Sequence, residues 1–172
     1  MKKLSKILFI LIITLFFITG CGEEIKLESG TKVDKNTDTT NATGTLLCSR
    51  GGKGLGDSTA DLSYEVNYKK GYLEKVHSIE KISSEDSSIL DQYEDAYQNI
   101  FNKYKNLKYY ENSITREDNS VTSDTTIEYS KIDMKKLEEI EGNSQEIIKN
   151  GKIALSDWLT FASKVGTQCI EK

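Results

Sequence analysis

The chain has 172 residues, a net charge of −4 and no proline. Its length and its 37% hydrophobic content suit one packed domain, and its acidity argues against nucleic acid as a partner. Its three cysteines and one histidine could fill the four positions of a closed zinc site only if every one of them took part, and only His77 could serve as the base of a hydrolytic triad.

Lys2, Lys3 and Lys6 precede an apolar run over residues 7–18, interrupted by Thr14, which closes on Ile18-Thr19-Gly20-Cys21. A basic front, a short apolar stretch and a small-residue exit make a secretory signal. The alternative is an uncleaved membrane anchor. A span needs about 20 apolar residues for a hydrocarbon core of roughly 30 Å, and here the polar Cys21-Gly22-Glu23-Glu24 follows at once. The segment resembles the export signal of bacterial lipoproteins, in which the lipobox cysteine receives a diacylglyceryl group and becomes the mature N-terminus. That resemblance implies a signal peptide over residues 1–20 and a lipid on Cys21. Two acyl chains on one residue suffice for stable anchoring. The rest of the chain is then expected outside the cytoplasm, on the outer leaflet of the cell membrane. Loss of three lysines and no acidic residue takes the net charge from −4 to −7, which also disfavours anionic head groups. The lysines are scattered along the sequence, and no basic patch is read from them.

Residues 21–43 are poor in apolar side chains and rich in Thr, Asn, Asp, Lys and Glu, a composition expected to form a disordered tether behind the lipid. Asp34-Lys35-Asn36-Thr37-Asp38 mimics the opening of an EF-hand loop, but Thr39 stands where the turn needs glycine and Thr45 where it needs glutamate. No metal site is read there. Residues 44–172 form the single expected domain.

Residues 45–49 suit a first strand, and the glycine-rich stretch 50–58 reads as a loop. Gly52-Lys53 is followed by Gly54 and a strand, so it does not continue as a P-loop would. Ala60, Leu62, Tyr64, Val66 and Tyr68 alternate with polar residues and define a half-buried strand. Lys70-Gly71 turns it into a second strand over residues 72–82. Ser83 or Ser84 is placed to cap a long helix whose stripe is Leu90, Tyr93, Tyr97, Ile100, Phe101 and Tyr104, running to about Lys105. Residues 107–116 and 121–130 form a second hairpin. Ile132, Leu137 and Ile140 mark a short helix. A last helix, capped by Ser156, presents Trp158, Leu159, Ala162 and Val165 and stops at Gly166. The fold class is α+β: an antiparallel sheet of about five strands (two hairpins plus an N-terminal strand), with a long central helix and C-terminal helices packed on it.

Cys48 and Cys169 remain after Cys21. Outside the cytoplasm two thiols tend to oxidise, so a disulfide joining the ends of the domain is favoured over two separately buried thiols. No catalytic, cofactor-binding or metal-ligating residues are assigned. His77 reads as a surface histidine, and Glu65, Glu74, Glu80 and Glu128 are placed on wet faces. In the adjacent pair Tyr109-Tyr110 one side chain must be exposed or lie under a helix.

The layout resembles a family. A lipobox and tether lead to Leu46-Leu47-Cys48, then the Tyr64/Tyr68 strand with its Lys70-Gly71 turn and a tyrosine-rich helix. A hairpin runs into Ile132-Asp133-Met134-Lys135-Lys136-Leu137, and the chain closes with Gly166-Thr167-Gln168-Cys169. This is similar to the YehR-like lipoproteins and related small lipoproteins of low-GC Gram-positive bacteria. The resemblance implies fold and location and brings no site residues across, because the family carries no assigned biochemical activity. The function read is a membrane-anchored, non-enzymatic binding or interaction module of the envelope, with an envelope protein or small ligand as partner and no cofactor. The alternative is a hydrolase acting on cell-wall glycan or peptide through paired carboxylates.

Overall fold

The computed structural model describes residues 30–141 and 147–172; the signal segment and Cys21 lie outside them. In chain order come β1 (Lys32–Val33), β2 (Gly44–Lys53), β3 (Thr59–Lys69), β4 (Tyr72–Ser83), α1 (Ser87–Phe101), β5 (Tyr110–Glu117) and β6 (Ser120–Ile127). α2 (Met134–Glu141), β7 (Ile148–Lys149), β8 (Lys152–Ile153), α3 (Leu155–Lys164) and β9 (Gln168–Glu171) follow. Seven strands make one antiparallel sheet in the order β1-β9-β2-β3-β4-β6-β5, and β7 and β8 form a separate hairpin.

The centre of the sheet follows from the alternation in β3, where Ala60, Leu62, Tyr64, Val66 and Tyr68 are all buried. Lys70 (φ 52°) and Gly71 (φ 75°) both take left-handed conformations, as a two-residue hairpin turn requires. The helices all lie on the face that β3 presents inward. α1 lays Leu90, Tyr93, Tyr97 and Phe101 over Ala60, Ile82 and Val121. α2 and α3 cover the other half, where Trp158 meets Tyr64 edge-on with ring centroids 5.6 Å apart. The opposite face is polar and carries Glu65, His77, Lys81 and Asp124.

The sheet is larger than the five strands expected. β9 inserts between β2 and β1, and β1 comes from residues expected to belong to the tether. Strands of two and four residues are too short for period-2 alternation to be visible, and pairing with a neighbour creates them. β2 also runs on to Lys53, through glycines expected in a loop, because Gly51 and Gly52 pair with Asp61 and Ala60 of β3. The true loop begins at Gly54. A Cβ there would lie 2.6 Å from the Tyr93 hydroxyl, the same hydroxyl that accepts a hydrogen bond from the Leu55 amide at 2.9 Å.

The helix ends differ in detail from the sequence reading. Asp86, rather than Ser83 or Ser84, caps α1 by accepting from the Ser88 amide at 2.8 Å, while the Ser84 hydroxyl accepts from the Asp86 amide. α1 stops at Phe101, and Tyr104 reaches the core from the turns that follow. Ala154 occupies the cap position of α3 expected for Ser156 and makes no side-chain bond. Gly166 (φ 79°) ends that region as expected.

Cys48 and Cys169 face each other across β2 and β9 and form a disulfide, with Cα atoms 4.1 Å apart. The bond spans 121 residues, and a loop of that size corresponds to about 5 kcal/mol as an upper estimate of chain-entropy stabilisation. Reduction, or Cys48→Ala with Cys169→Ala, is expected to lower the unfolding free energy by about 3–5 kcal/mol. Urea titration with and without reductant checks this, and a midpoint indifferent to reductant would refute it.

Candidate functional site

The inward face of the sheet is not uniformly apolar. Arg50, Leu62, Glu80 and Ser123 stand directly opposite one another in β2, β3, β4 and β6, so they form one row across the sheet. Arg50, Glu80 and Ser123 are all buried in that row, and Thr125 is buried beside it. α1 brings the Tyr97 hydroxyl to Glu80, and the C-terminal end of α3 brings the Val165 carbonyl oxygen, which accepts from Arg50 Nη1 at 3.0 Å. The row therefore marks the seam between the apolar cluster under α1 and the one under α3.

Glu80 is 3% exposed, which corrects its placement on a wet face. The signal was present in the sequence: Glu80 shares strand parity with Val76 and Ile82, both of which point inward. Ile79 obscured it, being an apolar residue of the opposite parity that is 37% exposed. Burial pushes the Glu80 carboxyl from its ordinary 4.5 up to about 7, against the opposing effects of the Tyr97 hydroxyl and the Arg50 charge. Burial and the neighbouring Glu80 in turn push the Tyr97 hydroxyl upward, so it stays protonated. Among the described residues, Glu80 Oε2, the Tyr97 hydroxyl, Ser123 Oγ and Thr125 Oγ1 find no partner within hydrogen-bond geometry.

A second carboxyl–tyrosine pair closes the other end of the core. Tyr104 donates to Glu141 Oε1 at 2.6 Å, and its ring stacks on Tyr110 with centroids 4.7 Å apart. Glu141 ends α2 and is buried; burial pushes its carboxyl up to about 8, opposed by the Tyr104 hydrogen bond and the Lys103 charge. A carboxyl that titrates near neutrality has the acidity wanted in a general acid or base. The two carboxyls nonetheless answer to different neighbours, Tyr97 and Arg50 for one and Tyr104 and Lys103 for the other.

The other residues singled out in the sequence lie apart from this seam. His77 sits on the open face, half-exposed, 2.9 Å from Asp124 Oδ1. Tyr109 (φ 66°) is the exposed member of its pair, with Lys131 5.6 Å from its ring centroid, and Tyr110 is half-buried. Among the described residues, no group of three or more His, Cys, Asp or Glu side chains gathers to hold a metal, and no helix is long and apolar enough to cross a membrane. Surface concavities occur among the described residues. One of about 600 Å³ lies between the end of α1 and β5, and one of about 380 Å³ lies at the tips of the β3–β4 and β7–β8 hairpins.

No protein-family model matches the chain, and no curated protein does. Among solved structures, it is similar to the NMR structure of the E. coli YehR protein, with 18% identity and a TM-score of 0.49, over 75% of this chain and 91% of that one. It is also similar to the NMR structure of a protein from Streptococcus pneumoniae TIGR4, with 16% identity and a TM-score of 0.44, over 90% of this chain and 99% of that one. At these identities the likeness is one of chain path, and no residue role is taken from it. YehR, which lends its name to the family the sequence resembles, is thus among the proteins of similar path.

Glu80 makes stability pH-dependent in a stated direction. Its folded value lies above its unfolded one, so the folded state holds the proton longer. The stabilisation is complete below about pH 4.5 and is lost as the pH rises to about 7, a change of the order of 3 kcal/mol. Glu80→Gln is expected to flatten this part of the profile and to be at least as stable as wild type at pH 8. Urea unfolding between pH 5 and 8 checks it; an unchanged slope in the variant would place the titration elsewhere.

Proposed function

We propose that this chain is a lipid-anchored protein of the extracytoplasmic membrane face, and that its domain binds an envelope protein or a small ligand without turning it over. The order Lys2, Lys3, Lys6, apolar run, Ile18-Thr19-Gly20-Cys21 carries the reading, since Cys21 alone has a named chemistry: thioether attachment of a diacylglyceryl group. The disulfide between Cys48 and Cys169 supports it, because such bonds persist in oxidising compartments. The polar segment that follows Cys21 gives the domain a short lead away from the bilayer.

One observation favours the second reading, a carboxylate hydrolase: Glu80 and Glu141 are held near neutral pH. A glycosidase needs its two carboxyl groups about 5–10 Å apart on either side of a bound sugar. Glu80 lies beneath α1, and its neighbours are not those of Glu141, so a binding role is the reading we adopt.

Cys21→Ser is expected to move the protein from the membrane fraction to the soluble fraction and to abolish incorporation of labelled lipid. Unchanged membrane retention would make residues 7–18 an anchor and overturn the lipid assignment. Release of product from cell-wall fragments by wild type, lost in Glu141→Gln, would establish the hydrolase instead.

A further inference from the structure

Two hairpins turn at the same corner of the molecule. Lys70 (φ 52°) and Gly71 (φ 75°) form one tip, and Asn150 (φ 54°) and Gly151 (φ 70°) form the other. The tips are tied together. Tyr72 pairs with Ala154 in an isolated antiparallel bridge, and the Leu155 amide donates to the Gly71 carbonyl at 2.9 Å. The 380 Å³ cavity between them is walled by Lys69, Lys70 and Lys152 and by the rings of Tyr72 and Tyr129.

The charges here are unbalanced. Nearby Lys131 pairs with Glu128 and Lys149 with Asp157, whereas Lys69, Lys70 and Lys152 make no ion pair among the described residues. Glu74 is the one carboxylate among the described residues of the lining, which leaves an excess of two positive charges there in a chain whose net charge is −4. Lys152 Nζ lies 5.0 Å from the Tyr72 ring centroid, an interaction that orients the ammonium without neutralising it. Tyr72 is 41% exposed, so the outer part of its ring is open to contact. Lysines far apart in the sequence are thus gathered by the two turns, which corrects the reading that this chain has no basic patch.

We propose that this cavity binds a phosphate-bearing ligand, with the phosphate met by Lys69, Lys70 and Lys152 and the adjoining part of the ligand laid against Tyr72. Three ammonium groups from two hairpins suit a phosphate oxyanion approached from more than one side. The size of the cavity and the acidity of the rest of the chain speak against a nucleic acid polymer. The phosphate comes either from a soluble ester or from a lipid head group, and both present the same chemistry. This inference rests on reading the domain as a binding module and is independent of lipid attachment at Cys21.

The test uses the full-length protein in a neutral detergent, with amide NMR signals of Gly71 and Gly151 as reporters. Inorganic phosphate is titrated in one arm, and short-chain phosphatidylglycerol, with phosphatidylcholine as control, is doped into the micelles in the other. Saturable shifts are expected, weakened about tenfold by Lys69→Gln with Lys152→Gln and untouched by Lys135→Gln on α2. Saturation by phosphate assigns a soluble ester, and saturation by phosphatidylglycerol alone assigns a head group. Saturation by neither, or equal shifts in the double variant, overturns the proposal. Both lysines are exposed, and a dispersed spectrum confirms that the variant is folded; Lys152→Gln alone serves where it is not. Failure here leaves the membrane fractionation of Cys21→Ser unaffected, so the two readings fall separately.

Discussion

A single covered face governs this structure. Seven strands share one sheet, and every helix packs on the same side of it, so strand parity decides whether a side chain meets core or water. A slip of one residue would exchange the two sets entirely. The ladder from β2 through β3 and β4 to β6 holds register over most of its length, with one irregularity at Asn67 and Tyr68 next to the Lys70-Gly71 turn. Glu80 is buried because this register requires it: Val76 and Ile82 must go in, and Glu80 lies between them with the same parity. The cost of enclosing a carboxylate is met by protonation near neutral pH and by the proximity of Tyr97 and Arg50. The polar row is thus a consequence of the sheet, made tolerable at the seam between the two apolar clusters.

The same geometry explains how the cysteines matter. β9 has four residues and β1 two, and neither is a self-sufficient strand. β9 is held by β2 on one side, and its Cys169 is bonded to the Cys48 directly opposite. β1 then has an edge to pair with. Gly166 ends α3 just before β9, so the bond also fixes where α3 finishes and where the Val165 carbonyl stands to receive Arg50. A covalent link at the sheet margin and a hydrogen bond in its interior therefore act on the same short segment.

The parts legible in the sequence were those whose pattern repeats several times. The alternation of β3 spans five inward residues, the stripe of α1 spans about three turns, and the hairpin turn at Lys70-Gly71 has a residue suited to positive φ. What escaped notice lacked such redundancy. The two marginal strands are shorter than the period needed to detect them. Gly51 and Gly52 read as loop because glycine is a poor strand former, yet partners in β3 were waiting for them. The polarity of Glu80 suggests a wet face, and the parity it shares with Val76 and Ile82 overrules that. The disulfide partners are legible from the expected compartment and from their positions at the two ends of the domain. In the candidate site, the tyrosine partners of Glu80 and Glu141 are not, since Tyr97 and Tyr104 already have a sufficient explanation as core residues.

Composition misleads most where turns converge. Net charge is an average over the surface, and a lysine count along the chain says nothing about which lysines become neighbours. Lys69 and Lys152 lie in different hairpins, and each flanks a turn built on two positive-φ residues. Such turns have few conformational options, so the direction in which they present their flanking residues is set by the backbone. Once the Tyr72–Ala154 bridge holds the hairpins together, the lysines cannot separate by rearranging their backbones. Mutual repulsion among them is relieved by side-chain movement, by screening salt or by an anion held between them. A chain that is acidic as a whole can therefore carry, at one corner formed by two turns, a local excess of positive charge suited to a small anion.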